Sequence, residues 1–328
     1  MPTKPAVIFM GTPDFAVPAL RRLAGSDMVD LQLVVTQPDR PAGRGRTLAP
    51  PPVKVAAQHL GVPLLQASTL RDQEARARIV SVQPALIVVA AFGMILGKWI
   101  LDLPLRGCVN LHASILPAYR GANPISSAIL KGDPETGVTL MRMDRGLDTG
   151  DILDVVRTPI LPDDTTDVLT ARLAHLAADQ LAANLEALLD GSIIATPQPE
   201  EATITRQLVK ADGWIDWSRP AAEIERQTRA MWPWPRAWTT LADGTALQVH
   251  RGTVDLSPDL AARSGTIHRG GVVACGGRTA LRLDRVQLAG GKPVAGAAIA
   301  NVAKLAPGTV LGTAGAPEPP PPLVIPAT

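Results

Sequence analysis

The sequence predicts a doubly wound α/β domain built on a mostly parallel sheet, followed by a smaller β domain and a proline-rich tail. Over roughly the first two hundred residues, short continuous apolar runs alternate with longer segments of helical period. That alternation is the pattern of a parallel sheet covered by helices on both faces. Past residue 210 the pattern changes to short β-type runs separated by glycine turns. A chain of 328 residues with 46 % hydrophobic side chains is too long for one small core and too apolar for general disorder.

In chain order, the predicted strands of the first domain are 6–10, 31–36, 64–66, 85–91, 107–111 and 137–143. Helices are predicted between them at 15–24, 53–60, 71–82 and 124–131. A longer one covers 167–189, where Leu169, Leu173, Leu176, Leu185 and Leu188 return to one face. Thr165 is placed to cap its start and Gly191 its end. Residues 192–210, with Pro197 and Pro199 and neither period, read as a linker. An amphipathic helix follows at 218–231, then β runs at 245–250, 265–269, 271–275 and 279–284. A small barrel of the oligonucleotide-binding type fits these runs, although a sheet sandwich does too. The expected domains are therefore 1–204 and 205–313, with the tail 314–328 disordered or extended.

The formal charge of +2 hides an asymmetry: residues 1–204 sum to −3, residues 205–313 to +6 and the tail to −1. A basic second domain fits a polyanion-gripping module, and equally a surface kept basic for solubility. Cys108 and Cys275 belong to no Cys-x-x-Cys pair and imply neither disulfide framework nor zinc site. No run approaches the ~20 apolar residues of a membrane helix, and the N-terminal run is too short for a signal peptide. A soluble cytoplasmic protein is expected.

Three segments carry chemistry. The first strand ends in GTPDF at 11–15, which lacks the glycine pattern of a nucleotide-binding turn. The run CVNLHASILPAYRGANPI at 108–125 places Asn110 and His112 two apart at a strand's C-terminal end, the edge where such sheets bind ligands. An amide beside an imidazole suits a developing oxyanion, with the imidazole able to carry a proton. The polar loop MDRGLDTGD at 143–151 supplies a carboxylate to hold His112, and spacing does not separate Asp144, Asp148 and Asp151. A Ser-His-Asp hydrolase through Ser114 lacks a G-x-S-x-G elbow, and a metal site lacks a third ligand. The loop QPDRPAGRGRTLAPPPVK at 37–54 carries Arg40, Arg44, Arg46 and Lys54 and suits phosphate contacts. Trp214, Trp217, Trp232, Trp234 and Trp238 cluster beside prolines, more in the manner of a domain-junction core than of base-stacking platforms.

FMGTPDF, QPDRPAGRGR, NLHASILPAYRGANPI, ETGVTLMRMDRGLDTGD and IDWSRPAAEIERQTRAMWPWPRAW, in this order from residue 9 to about 310, resemble the methionyl-tRNA formyltransferases. The Asn-x-His and Leu-Pro-x-Tyr-Arg-Gly segments are shared by the wider group that uses 10-formyltetrahydrofolate. The resemblance implies a Rossmann-like formyltransferase fold, and it places Asn110, His112 and Asp148 on the catalytic positions. It further implies that Ser114, Ile115, Leu116 and Pro117 fall on the folate-binding segment, with Phe92, Gly93, Ile95 and Leu96 taken as a stretch of the pocket wall. Arg40, Arg44 and Arg46 would meet tRNA. The implied partners are methionyl initiator tRNA and the folate co-substrate, with no metal and a monomeric chain. The rivals are a formyltransferase acting on an amino-sugar nucleotide or another small amine, and a formyltetrahydrofolate hydrolase.

Overall fold

The computed structural model describes residues 4–42, 47–256 and 262–327. The first domain runs β1 (Ala6–Gly11), α1 (Val17–Ala24), β2 (Asp30–Thr36), β3 (Arg40–Ala42), β4 (Thr47–Ala49), α2 (Pro52–Leu60), β5 (Leu64–Gln66), α3 (Gln73–Ser81) and β6 (Leu86–Ala90). It continues through α4 (Lys98–Leu101), β7 (Cys108–His112), β8 (Arg120–Gly121), α5 (Pro124–Lys131), β9 (Glu135–Arg142), β10 (Ile152–Pro159) and α6 (Thr166–Asp190). Beyond it lie β11 (Thr203–Thr205), α7 (Ala221–Ala230), β12 (Ala237–Thr240), β13 (Ala246–Asp255), β14 (Val272–Cys275), β15 (Thr279–Leu288), β16 (Val294–Ala295) and β17 (Val324–Pro326).

Seven strands form the main sheet in the order β10-β9-β7-β6-β1-β2-β5. The pairs from β7 through β5 are parallel, whereas β9 and β10 add antiparallel strands at one edge. β6, LIVVA, is buried along its whole length because helices cover both faces. One layer of core sets α1 and α6 against Val7, Phe9, Val34, Val88 and Leu140; the other sets Ile79 and Ile100 against Ile8, Met10, Ile87 and Val89. The chain leaves β1 for β2 on one side and returns to β6 on the other, so a crevice opens between them at the C-terminal ends of the strands. Gly191 caps α6 in the left-handed conformation as its sequence predicts. Thr165 does not cap it: its hydroxyl bonds the Asp167 carboxylate instead. β10 escaped prediction because Asp154 and Arg157 interrupt its apolar run and its residues are mostly half-buried.

The second domain is a five-stranded antiparallel sheet, β12-β13-β15-β14 with β16 on β15, extended by bridges at Ile267–Val273 and Thr266–Val310. Its core gathers Ile215, Trp217, Ile224, Leu247, Val249, Leu281 and Leu283. α7 also reaches the first domain, where Arg229 donates to the Asp164 carbonyl at 3.1 Å and the Ala230 carbonyl accepts from Thr166 Oγ1 at 2.7 Å.

Two expectations change here. The stretch expected to be a linker contains β11, and the tail expected to be disordered or extended forms a paired strand, β17, antiparallel with β11 at Thr203–Pro326, Ile204–Ile325 and Thr205–Val324. β11 in turn pairs in parallel with β8, so the tail completes a three-stranded sheet. A proline-rich segment lacks the period of a core strand, but edge pairing needs only alternate backbone groups, and Leu323 supplies a buried anchor in the main core. Arg206 Nε also holds the tail through the Pro321 carbonyl at 3.0 Å.

Replacing Leu323 by Ala should cost about 2 kcal/mol through the cavity it leaves, lowering the thermal midpoint by roughly 4–8 °C in a melting experiment. His250 sets a second expectation. Burial, and then the charges of Arg236 and Arg285, lower its pKa from 6.5 to about 4. Unfolded His250 takes up a proton near 6.5 and the folded residue does not until about 4, so stability falls as pH falls through that window. Unfolding midpoints against pH should show a shallower decline for His250→Phe.

Candidate active site

Asn110 and His112 alternate on β7 and therefore leave the same face of the sheet at its C-terminal end. Both are buried, and both line a cleft of about 860 Å³ at the strand ends. Its walls come from Phe15 after β1, Ala91 to Ile95 after β6, Gly121 to Ser126 before and in α5, and Asp148 from the loop between β9 and β10.

Geometry separates the three carboxylates that spacing left open. Asp144 is spent on its own loop, accepting from Thr149 Oγ1 at 2.7 Å and the Gly146 amide at 2.9 Å. The side chain turned to the pair on β7 is that of Asp148. Its Oδ1 accepts from Asn110 Nδ2 at 3.4 Å, its Oδ2 accepts from the Gly121 amide at 2.9 Å, and Oδ2 lies 3.6 Å from His112 Nδ1. Across the ring, His112 Nε2 meets the Tyr119 carbonyl at 2.9 Å. A carbonyl can only accept, so Nε2 carries a proton whenever that bond is made, leaving Nδ1, beside the carboxylate, to exchange one. The sequence pointed to a carboxylate for orienting the imidazole. The shorter orienting contact is the Tyr119 carbonyl on Nε2, and Asp148 faces the other ring nitrogen, Nδ1.

Tyr119 and Asp148, on opposite sides of the ring, both hold left-handed backbone, at φ 60° and 52°. Such positions cost ~1–3 kcal/mol and persist where their surroundings over-determine them. Around Tyr119 the restraint is visible: its hydroxyl donates to Asp133 Oδ2 at 2.5 Å and its amide donates to Thr203 Oγ1 at 2.8 Å. Burial first, and then the Asp133 carboxylate, raise the phenol's pKa. Around Asp148, Gln198 donates to the carbonyls of Asp148 and Gly150 at 2.8 and 2.7 Å while its Oε1 accepts from Arg120. Gln198 and Thr203 both lie in the expected linker. No periodic signal marked them.

Gly121 is the other residue that sequence reasoning passed over. Its φ is +96°, and a Cβ there would stand 2.4 Å from the Thr205 carbonyl oxygen. Only glycine lets the chain pass this close to β11 while aiming its amide at Asp148.

Of the residues expected to meet folate, Phe92, Gly93 and Ile95 line the cleft. Gly93 has φ +75° and sits against Gln37, whose Nε2 donates to the Phe92 carbonyl at 2.9 Å. Leu96 is buried in the core instead. Ser114, Ile115, Leu116 and Pro117 are not among the lining side chains. Ser114 is fully buried with its hydroxyl on the Ala118 carbonyl at 2.6 Å, and the Leu116 amide donates to Thr139 Oγ1 at 3.1 Å. This segment shapes the turn that carries Tyr119. In the basic loop Arg40 is exposed on β3, while Arg44 and Arg46 lie outside the described residues. Lys54 is not available for phosphate, because its Nζ meets both Asp39 oxygens at 2.8 Å. That bond, and next the one from Gln66, lowers the Asp39 pKa. Among the described residues no group of His, Cys, Asp or Glu could hold a metal, and no helix is long and apolar enough to cross a membrane.

An amide donor, a positioned imidazole and a carboxylate in one cleft can together stabilise an oxyanion and move a proton. Residues 3–185 match the family described as formyl transferase, and residues 207–304 match the formyl transferase C-terminal domain. The chain is 46 % identical over 293 residues to the methionyl-tRNA formyltransferase of Marinobacter nauticus, covering 87 % of this chain and 92 % of that protein. Against the methionyl-tRNA formyltransferase of Sorangium cellulosum it is 47 % identical over 311 residues, covering 93 % and 99 %. This chain belongs to the methionyl-tRNA formyltransferase family. Among solved structures, the N-formyltransferase from Helicobacter canadensis, in complex with folinic acid and dTDP-3-aminofucose, shares the fold with a TM-score of 0.62 at 18 % identity, covering 86 % of this chain and 99 % of that one. HypX from Aquifex aeolicus in complex with tetrahydrofolic acid has a TM-score of 0.57 at 14 % identity, covering 90 % and 46 %.

Gly121→Ala should turn the amide away from Asp148 and lower kcat by about 10²-fold or more, the scale of a lost acid-base contribution, with folate affinity little changed. Steady-state kinetics beside a folate-binding titration will show it.

Proposed function

We propose that this chain transfers the formyl group of 10-formyltetrahydrofolate to the free α-amino group of methionine esterified to initiator tRNA. The observation that carries the chemistry is the Asn110, His112 and Asp148 arrangement at the mouth of a cleft whose volume and partly aromatic, apolar wall suit a folate. Family membership, with relatives of that activity matched over nearly the whole chain, supports the acceptor. The amino-sugar rival rests on structures at 21 % identity or below, a likeness of fold alone.

The amine lone pair attacks the formyl carbon and forms a C–N bond, and the carbonyl electron pair moves onto oxygen. Asn110 gives one amide hydrogen to Asp148 and has the other free for that oxyanion. His112 takes the amine proton on Nδ1. The imidazolium then lies between the Asp148 carboxylate and the Tyr119 carbonyl, each placed to stabilise it. Returning the proton to N10 of the folate as the C–N10 bond breaks restores the carbonyl and completes the transfer with no acyl-enzyme.

Arg40, Arg44 and Arg46 contact tRNA phosphates in this reading, supported by the basic second domain. The chain acts as a monomer in the cytoplasm.

The deciding assay runs formyl transfer from 10-formyltetrahydrofolate to charged initiator tRNA beside elongator tRNA, amino-sugar nucleotides and water. Initiator tRNA should be the preferred acceptor, and preference for a sugar nucleotide overturns the reading. In the same assay Asn110→Ala should lose ~10²–10³ in kcat, the cost of one oxyanion donor. Arg44→Ala should raise the KM for tRNA, most at low salt where a phosphate contact counts most, and leave that for folate unchanged.

A further inference from the structure

One side chain of the second domain faces the catalytic cleft with no role in the chemistry above. Trp234 lines its wall and remains 57 % exposed, whereas Trp217 is buried in the second core and Trp214 packs edge-to-face on Trp238 at 4.9 Å. Trp217, Trp214 and Trp238 are thus engaged inside the second domain, and the Trp234 indole is not. Trp232 stacks at a tilt on His250 at 5.1 Å and carries the Arg236 guanidinium over its other neighbourhood at 5.1 Å.

The turn that presents Trp234 is stiff. Pro233 and Pro235 flank it, each with φ fixed by its ring. The Arg236 amide closes the turn on the Met231 carbonyl at 2.7 Å, and the Arg236 side chain binds the Pro233 carbonyl at 3.2 Å and Gln248 Oε1 at 2.8 Å. An indole held out on such a support loses little freedom when something flat covers it. Two further exposed apolar side chains stand round the same mouth, Ile95 at 90 % and Leu147 at 52 %. Three large apolar groups left in water at one rim mark a surface that a ligand covers.

We propose that Trp234 is the stacking platform for the terminal nucleobase of the acceptor's single-stranded 3′ end, a positioning residue that holds the aminoacyl ester over Asn110 and His112. This rests on the tRNA reading above. In the reading above the folate takes the first domain's side of the cleft, along Phe92 to Ile95, so an aromatic face offered from the second domain is placed to meet the other substrate. That substrate's reacting amine is joined through an ester to a ribose bearing a base. Base-aromatic stacking tolerates any base because every base offers a π face.

The test is steady-state formylation of charged initiator tRNA by wild type, Trp234→Ala, Trp234→Phe and Trp234→Leu. Trp234→Ala should raise the KM for tRNA by about 10-fold or more, the scale of one lost base stack, and leave the KM for 10-formyltetrahydrofolate unchanged. Phe should restore most of the loss and Leu should not. With acceptor tRNA lacking only its terminal base, wild type and Trp234→Ala should have equal KM values. The proposal is overturned if Leu restores as well as Phe, if the penalty persists on the abasic acceptor, or if the folate KM moves instead. Inactivity of the wild-type enzyme on charged tRNA would instead sink the acceptor assignment, so the two failures are distinguishable.

Discussion

The amide of Gly121 points at the Asp148 carboxylate from 2.9 Å, and the site is arranged around that bond. Asp148 lies on a polar loop with little apolar burial of its own, in a left-handed conformation that an unrestrained chain would leave. Fixed by the Gly121 amide, its two oxygens face Asn110 and His112 at once. Without that restraint the amide and the imidazole would still sit on β7, since the pleat alone puts them on one face. They would lack the carboxylate that now faces both of them.

What holds Gly121 comes from far along the chain. Its strand, β8, pairs with β11, which the tail strand β17 covers on its other edge. From the same stretch as β11, Gln198 clamps the backbone of Asp148 and Gly150, and Thr203 receives the amide of Tyr119. Residues after α6 thus complete the candidate site. The second domain contributes Trp234 at the rim and the contacts of α7 with the first domain.

Much of this was legible in the sequence because it obeys a local period. The main-sheet strands from 6 to 111 and α6 follow from apolar runs and a leucine stripe, and the alternation of β7 puts Asn110 beside His112 in space; the β3–β4 hairpin, in a stretch read as a loop, does not. Asp148, Gly121, Gln198 and Thr203 obey no such rule. Three acidic residues at nearly equal spacing look alike until a distant amide selects one. A glycine's role depends on which backbone passes it, here that of Thr205. β17 was hidden because proline-rich composition suppresses regular structure in isolation, while pairing with an existing edge supplies the missing partner. The Ser114–Pro117 segment shows a structural part the sequence did not suggest: the Ser114 hydroxyl and the Leu116 amide hold the turn that carries Tyr119.

The account stands on the negative charge of Asp148 acting at His112 Nδ1, beyond any role the side chain has in shape. Asp148→Asn keeps the shape and removes the charge. Single-turnover formylation at saturating folate and charged initiator tRNA measures the chemical step directly, apart from product release. The rate should fall by ~10²–10⁴ while folate affinity stays within a few-fold of wild type. A rate within tenfold of wild type would contradict the account.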